Sequence, residues 1–397
     1  MRKAAVGGLL RVSRVSFAAL RPPARRPQQG RRAAWHAHEL LFGYVPAVQA
    51  GFLLTAVPHW TGRRPLGPAP LVALVALWVA GRLAMAGLLG SGPLGAGLSG
   101  LGPLAVAAVA TAFTVALAAV VTHEIVAARS VANAAAVVSL AVLVVAQILF
   151  HADALSGHDG AFASRLALAG VTAQMMLLGG RIVPAFTRDY LLETGRAPIP
   201  TPARPLDAAA VGLGLFALVV WLALPLLGDA APAAGGLLLV AAVLLVVRQA
   251  RWAPARTLRE PLVWSLHLGA AMTPLGLLLA GTGALSGDAM LAAAVIHVWA
   301  IGGIGLMTLA LMTRVSLGHT GRPPRALRGS TAIFLAIGLA AAARAGSVLV
   351  PDWTLPLLPL AGVLWIAAYA GFLVVYGPLL LRPAVTAKRS DAAPRRA

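Results

Sequence analysis

Long apolar runs recur along this chain and constrain its fold more than any other feature. A helix of roughly 20 apolar residues crosses a hydrocarbon core of about 30 Å. Charged residues make up 11% of the chain, whereas a soluble domain carries roughly 25%. Spans are predicted at 35–58, 69–91, 98–121, 130–151, 163–185, 207–228, 231–250, 261–282, 289–313, 329–350 and 355–381. The sequence thus predicts an all-α, polytopic membrane helix bundle with eleven clear spans.

A twelfth span at 4–20 is interrupted by Arg11 and Arg14. An arginine at the bilayer centre costs about 2.5–3.5 kcal/mol to insert. We therefore interpret residues 1–34 as a basic segment, either an eroded first helix or a mis-set start of the chain. The remainder is predicted to be one transmembrane helix-bundle domain at 35–381 and a basic cytoplasmic tail at 382–397.

Positive charge lies mainly in alternate loops between the apolar runs. The formal net charge of +20 would indicate nucleic-acid binding in a soluble protein. Here it follows the positive-inside rule, by which cytoplasmic loops carry the lysines and arginines. The basic loops and the C-terminus are therefore predicted to be cytoplasmic, and no nucleic acid is expected as a partner. Trp35 then begins its span at the outer face, although the arginines between 21 and 32 break the pattern.

The chain contains no cysteine, which limits its chemistry. Disulfides, thiolate metal sites and cysteine nucleophiles are excluded. A metal ion or haem iron would need histidine, methionine or carboxylate ligands. The sequence also lacks the motifs G-x-x-x-x-G-K-[ST], G-x-S-x-G and H-E-x-x-H. The residues therefore assign no reaction, and whether the chain is an enzyme stays open.

The nine histidines form two groups by predicted membrane face. Ionisable side chains inside a bilayer are costly and usually face a bundle interior, so buried ones are candidates for function. The outer group is His36, His38, His151, His158 and His297, and the inner group is His59, His123, His267 and His319. Those near loops are most simply solvated. For His151 and His267, a copper or haem ligand competes with an ordinary hydrogen-bonded polar group.

His36, His38 and Glu39 open the first clear span. Residues two apart on a helix point about 200° away from each other, so one helix cannot aim both histidines at one centre. Glu39 is a candidate to orient an imidazole by accepting its hydrogen bond. Otherwise it is a helix-end carboxylate favoured by the helix dipole.

His297 lies within the apolar run at 289–313. It is interpreted either as an axial ligand to haem iron or as the partner in an interhelical hydrogen bond. A repeat links it to His38, because the same spacing separates His38 from Thr61–Arg63 and His297 from Thr320–Arg322. A middle copy would end at Thr187. Three units of about four helices would then fill a 12-helix architecture.

Four segments resemble signature segments of the NnrS family. They are WHAHELLFGYVPAVQAGFLLTAVPHWTGR, LLGGRIVPAFT, LVWSLHLGAAMTPLGLLL and IHVWAIGGIGLMTLALMTRVSLGHTGRPP. The likeness extends from about Trp35 to Leu381. It implies a bacterial inner-membrane protein of about twelve helices that contains haem and copper. It also implies a role in nitric oxide metabolism or in protection against nitrosative stress.

The resemblance places His36, His38 and Glu39 in the histidine-rich segment and His267, His297 and His319 in the later segments, whereas His151 is a candidate because it ends a long apolar run. The candidates for haem binding are His36, His38 and His297, those for metal binding are His151, His267 and His319, and Glu39 is the orienting acceptor. Which of these histidines bind haem and which bind copper stays open at this point.

A more distant likeness is to the haem-copper oxidase core, which has twelve helices in three four-helix arcs. If the run at 4–20 is counted, His38 and His297 fall on the second and tenth helices, where that core carries its haem ligands. The tenth oxidase helix has two ligating histidines, whereas this one has only His297, and the oxidase histidines of the sixth and seventh helices are missing. We therefore expect one haem held by His38 and His297.

A transporter for a small ligand or a metal–nitrosyl species is the alternative function. Transporters often contain repeats and interrupted helices, and Pro58, Pro184 and Pro274 lie within predicted spans. A cofactor-free membrane scaffold is a third possibility. The expected partners are the lipid bilayer and a small ligand such as nitric oxide, and no redox partner is assigned.

Overall fold

The computed structural model describes residues 27–87, 102–196 and 204–383, and within these ranges the chain is helical with no β-strand. Among the described residues, eleven helices are long and apolar enough to cross a membrane. They are α1 (Arg32–Thr61), α2 (Pro68–Met85), α3 (Pro103–Ala127), α4 (Val131–Leu155), α5 (Ala161–Glu193), α6 (Arg204–Leu226), α7 (Gly228–Ala250), α8 (Pro261–Ser286), α9 (Ala289–His319), α10 (Ser330–Leu349) and α11 (Pro351–Leu380). The predicted fold class is confirmed. The possible span at 4–20 and the end of the predicted tail lie outside the described residues.

The first spanning helix begins before the apolar run that revealed it. Its backbone is already α-helical over Pro27–His38, so the predicted boundary between 34 and 35 falls inside the helix. A hydropathy pattern detects only the apolar part of a helix. The helical backbone hydrogen bonds continue into the polar segment that precedes it. The prediction of a single domain over 35–381 stays a prediction.

Three of the helices that the structure describes contain a π-helical segment, and they are every fourth spanning helix: α1, α5 and α9. The segments are Glu39–Tyr44 in α1, Met175–Gly179 in α5 and Val298–Gly305 in α9. The residues directly before them are His38, Gln174 and His297. Single-turn π segments inside α-helices are rare and frequently lie at functional sites. The sequence repeat that relates His38 to His297 is therefore matched by local backbone structure, because both residues directly precede a π segment.

The same three helices also stop in the same way. Each is followed by Thr-Gly-Arg or ends within it, and the glycines Gly62, Gly195 and Gly321 have φ of 69°, 64° and 67°. A left-handed residue at this point ends a helix, and glycine adopts it without a Cβ clash. The middle copy of the repeat thus ends at Thr194–Arg196 rather than at Thr187.

The contacts divide the chain into two compact units. The first comprises residues 1–180, 203–246 and 273–296, and the second comprises 181–202, 247–272 and 297–397. In the first unit Leu53, Leu117 and Leu140 are fully buried in one apolar cluster. Without a hydrophobic driving force in lipid, such close side-chain packing is what holds membrane helices together.

The second unit is centred on α10 and α11 and on the later part of α9. Phe334 and Tyr376 are fully buried within it. The hydroxyl groups of Ser330 and Tyr376 form a 2.6 Å hydrogen bond. Both polar groups are therefore satisfied inside the protein, as a membrane interior requires.

Candidate metal-binding site

Two histidines of the first unit meet where the π segment of α1 begins and α4 nears its end. The Nε2 atoms of His38 and His151 lie 3.3 Å apart, and the two residues are 0% and 9% exposed. The rings of Phe42 and Phe150 lie 5.4 Å and 5.5 Å from the ring of His38. The sequence predicted each histidine separately, and the structure makes them a pair in an apolar surrounding.

The separation of the two Nε2 atoms has a chemical meaning. Metal–imidazole bonds are about 2.0–2.1 Å long, so two ligands of one tetrahedral ion stand about 3.3 Å apart. Ligands on opposite faces of a haem iron would stand about 4.1 Å apart at the same bond length. The observed 3.3 Å therefore matches neighbouring ligands of a single ion. It equally permits one Nε2–H group to donate to the other nitrogen.

A carboxylate lies behind His38. The Nδ1–H group of His38 donates to Oε1 of Glu39 at 3.0 Å, and Nη1 of Arg82 lies 2.6 Å from the same oxygen. The Glu39 and Arg82 side chains are only 21% and 17% exposed. Histidine ligands almost always donate their other ring N–H to such an acceptor, which fixes the tautomer and the ring orientation. Glu39 thus makes the contact that an orienting acceptor would make.

Sequence reasoning missed Arg82, although the signal was present. This arginine lies in the last turn of α2, in an otherwise apolar segment. A charge inside a spanning helix is itself a functional candidate, because it is costly unless it is paired. Its partner Glu39 is remote in sequence, so only the packing of α2 beside the start of α1 reveals the ion pair.

Comparison with known proteins gives the family. The model of the NnrS protein family matches residues 4–384, nearly the whole chain. The chain belongs to the NnrS family. The resemblance inferred from four segments is thereby confirmed, and the family is generally linked to the response to nitric oxide. No curated protein and no solved structure matched the chain.

The other histidine of the opening segment faces away from the pair in this NnrS chain. His36 is exposed, whereas His38 is fully buried. This agrees with the expectation that the two side chains point to different sides of α1. A role of His36 in haem binding stays a prediction.

The second unit holds the remaining candidate histidines of this NnrS chain, His267, His297 and His319. Nε2 of His267 lies 2.8 Å from Oγ1 of Thr187. That hydroxyl also donates to the carbonyl of Val183 at 2.8 Å, so His267 supplies the proton of its own hydrogen bond. A ring nitrogen that carries a proton cannot bind a metal. Only Nδ1 of His267 would then be available to a metal.

His297 and His319 lie in α9 of this NnrS chain. His297 is half-buried directly before the π segment, and His319 is exposed at the end of the helix. Within the described parts of the chain, no three or more histidine, aspartate or glutamate side chains form a group that could hold a metal ion.

Proposed function

We propose that this NnrS-family protein binds haem and copper in the bacterial inner membrane. Its role is in nitric oxide metabolism or in protection against nitrosative stress. The family membership supports the role. The observation that carries the metal-binding proposal is the 3.3 Å approach of the Nε2 atoms of His38 and His151, with Glu39 on the other nitrogen of His38.

The donor set fits copper. Both donors are imidazole nitrogens, which suit copper and zinc, and copper binds more tightly than zinc at a given site. Glu39 lies on Nδ1 of His38 and so leaves Nε2 to face His151. The two histidines would hold the ion, which would supply an open coordination position for a small ligand. The rings of Phe42 and Phe150 beside His38 give the pair an apolar surrounding, which suits a neutral diatomic ligand such as nitric oxide.

The same geometry separates the haem proposal from the copper proposal. Both ring nitrogens of His38 are already in contact, one with Glu39 and the other with His151. A haem held by His38 would require its Nε2 to leave His151, because each imidazole nitrogen has a single lone pair. We therefore assign His38 and His151 to copper. His297 is the proposed haem ligand, because it lies half-buried beside a π segment.

The transporter alternative has less support from local structure. It relied on prolines that interrupt helices. Pro58, Pro184 and Pro274 all lie inside α-helical segments that continue beyond them. A metal-free, colourless protein that moves a solute across vesicles would nevertheless favour it over the metal-binding proposal.

The first experiment is to count iron and copper in detergent-purified protein and to record oxidised and reduced absorption spectra. We expect a Soret band, stoichiometric iron and copper. His38→Ala and His151→Ala should each lose copper and keep the Soret band, whereas His297→Ala should change that band and keep copper. His123→Ala is the matched control, since that side chain is 70% exposed. Metal-free wild-type protein, after expression with ample haem and copper, would refute the proposal.

The C-terminus is proposed to be cytoplasmic, on the basis of the alternating basic loops. Reporter fusions test this orientation. A fluorescent protein joined after 383 should be bright, because it folds in the cytoplasm. Alkaline phosphatase inserted at 157 should be active, since the loop between α4 and α5 contains Asp159 and no lysine or arginine. The opposite pattern would reverse the proposed topology.

A further inference from the structure

We propose that Arg82 is a positioning residue that sets the tautomer of His38 through Glu39, and that the π segment of α1 accommodates its guanidinium. This inference rests on the proposed metal-binding function of His38 and His151. It concerns residues of α1 and α2 that are all in the first unit.

The π segment of α1 leaves a place for the arginine. A Cβ atom added to Gly43 would lie 2.2 Å from Nη1 and 3.0 Å from Cζ of Arg82. The guanidinium therefore lies directly against the backbone of α1, in space that only glycine leaves open. The indole of Trp78 donates to the carbonyl of Gly43 at 2.9 Å. Trp78 and Arg82 are four residues apart in α2, so the hydrogen bond and the guanidinium reach α1 from the same face of that helix.

A second tryptophan hydrogen bond joins α1 to α2 beyond Arg82, at the end of α2. Nε1 of Trp35 donates to the carbonyl of Met85 at 3.2 Å. Two indole hydrogen bonds, one from each helix, thus hold α1 and α2 on either side of the Glu39–Arg82 ion pair. The register between the helices is therefore set independently of the ion pair. Replacement of Arg82 should then change the placement of the Glu39 carboxylate more than the packing of the helices.

The ion pair determines what Glu39 can offer to His38. Oε1 of Glu39 contacts both Nη1 of Arg82, at 2.6 Å, and Nδ1 of His38, at 3.0 Å. An ionised carboxylate only accepts hydrogen bonds, so it holds the proton of His38 on Nδ1 and leaves Nε2 with its lone pair. Without the guanidinium, the carboxylate of Glu39 is free to turn away from His38, and nothing then holds the proton on Nδ1. A His38 ring with its proton on Nε2 could not bind a metal through that atom.

The test uses a replacement of Arg82 with a matched control. Arg82→Met removes the charge and keeps much of the side-chain volume, and Arg82→Lys keeps the charge. Arg344→Met is the control, because Arg344 is another arginine within a spanning helix and contacts Ser347 rather than a histidine. Gly43→Ala is an independent variant that keeps both charges and displaces the guanidinium, while Oε2 of Glu39 stays at an ordinary contact distance of 3.4 Å from the new Cβ.

The first readout needs no metal. Solid-state ¹⁵N spectra of histidine-labelled protein in vesicles distinguish the two imidazole tautomers, and His38→Ala assigns the signal. Wild type should show His38 with the proton on Nδ1. Arg82→Met should move the proton to Nε2, Arg82→Lys should retain much of the wild-type signal, and Arg344→Met should match wild type. An unchanged His38 signal in both Arg82→Met and Gly43→Ala would overturn the inference.

The second readout separates this inference from the proposed function. Titration with copper should show affinity 10–100-fold lower in Arg82→Met, the usual effect of losing a residue that orients a histidine ligand. The electron paramagnetic resonance spectrum of bound Cu(II) should also change. Wild-type protein that binds no copper would refute the proposed function whatever the tautomer. Wild-type and Arg82→Met proteins with equal affinity and equal spectra would refute the role of Arg82 alone.

Discussion

At the scale of single residues, burial and partners decide which histidines are candidates for chemistry. His38 is completely buried and contacts both Glu39 and His151, while His36, two positions earlier, is exposed. His267 is buried too, yet a threonine hydroxyl satisfies its Nε2. Residue type alone makes these three equivalent, and their neighbours make them different.

Glu39→Gln tests how much of the site depends on charge. The amide oxygen can still accept from Nδ1 of His38, but Arg82 loses its anionic partner inside a spanning helix. An uncompensated charge in a protein interior is strongly unfavourable. We expect copper affinity to fall about 10-fold and the midpoint of unfolding in detergent to fall as well. Equal stability of wild type and variant would mean that the ion pair contributes little.

Tyr376→Phe tests the hydrogen bond between Tyr376 and Ser330. Hydrogen bonds between helices in membrane proteins average about 0.6 kcal/mol and reach about 1.7 kcal/mol. Because both residues are fully buried, we expect a loss of about 1–1.7 kcal/mol in denaturant titrations of reconstituted protein. Tyr190→Phe, in a partly exposed residue, is the control and should leave stability unchanged.

At the scale of helices, small residues set how closely the spans approach. Gly235 in α7 and Gly281 in α8 are in the first unit, and each would place a new Cβ within 2.8 Å of the other's carbonyl oxygen. Small residues at helix interfaces are what permit such close contact in membranes. The glycine-rich composition is therefore explained by packing at these positions.

Gly235→Ala should destabilise the protein, whereas Gly236→Ala should not. A methyl group at Gly235 would lie 2.7 Å from the carbonyl oxygen of Gly281, and one at Gly236 would meet nothing within 4 Å. Overpacking of this kind costs about 1–3 kcal/mol. The two variants differ by one position and can be compared in the same unfolding assay. Equal effects would show that α7 and α8 do not meet at Gly235.

Gly62→Ala tests the helix stop that α1 shares with α5 and α9. Gly62 has a φ of 69°, and a left-handed conformation costs other residues about 1–2 kcal/mol. We expect a loss of that size on thermal unfolding. Gly51→Ala is the control, since Gly51 lies in the middle of the helix with nothing near its Cβ position. There alanine should be neutral or slightly stabilising, because it favours helix.

At the scale of the whole molecule, the chain repeats one kind of helix. The helices α1, α5 and α9 share a polar residue before a π segment and a Thr-Gly-Arg stop. Within that series the leading residues are His38, Gln174 and His297. Two positions of the series thus keep an imidazole, and the middle one carries an amide whose oxygen accepts a hydrogen bond from Gln49.

The sequence alone determined the class of the protein, its eleven spans and its family. The thickness of the hydrocarbon core fixes the length of an apolar span. Spanning helices and the loops between them can therefore be identified from the sequence without tertiary structure. The four signature segments are long and continuous, so they identified the family before any contact was known. Even the repeat was visible in part, through the two Thr-Gly-Arg stops that follow His38 and His297 at the same spacing.

Only tertiary structure decided which residues act together. His38 and His151 are far apart in sequence, as are Glu39 and Arg82, and their pairing depends on how α1, α2 and α4 pack in the first unit. Contacts between helices depend on how side chains fit together along the whole interface. The hydrophobicity pattern of the sequence does not describe that fit. The π segments were also invisible, because every residue in them is compatible with an ordinary α-helix. The sequence therefore named most candidates, whereas packing brought two histidines, a carboxylate and an unnoticed arginine into contact with one another.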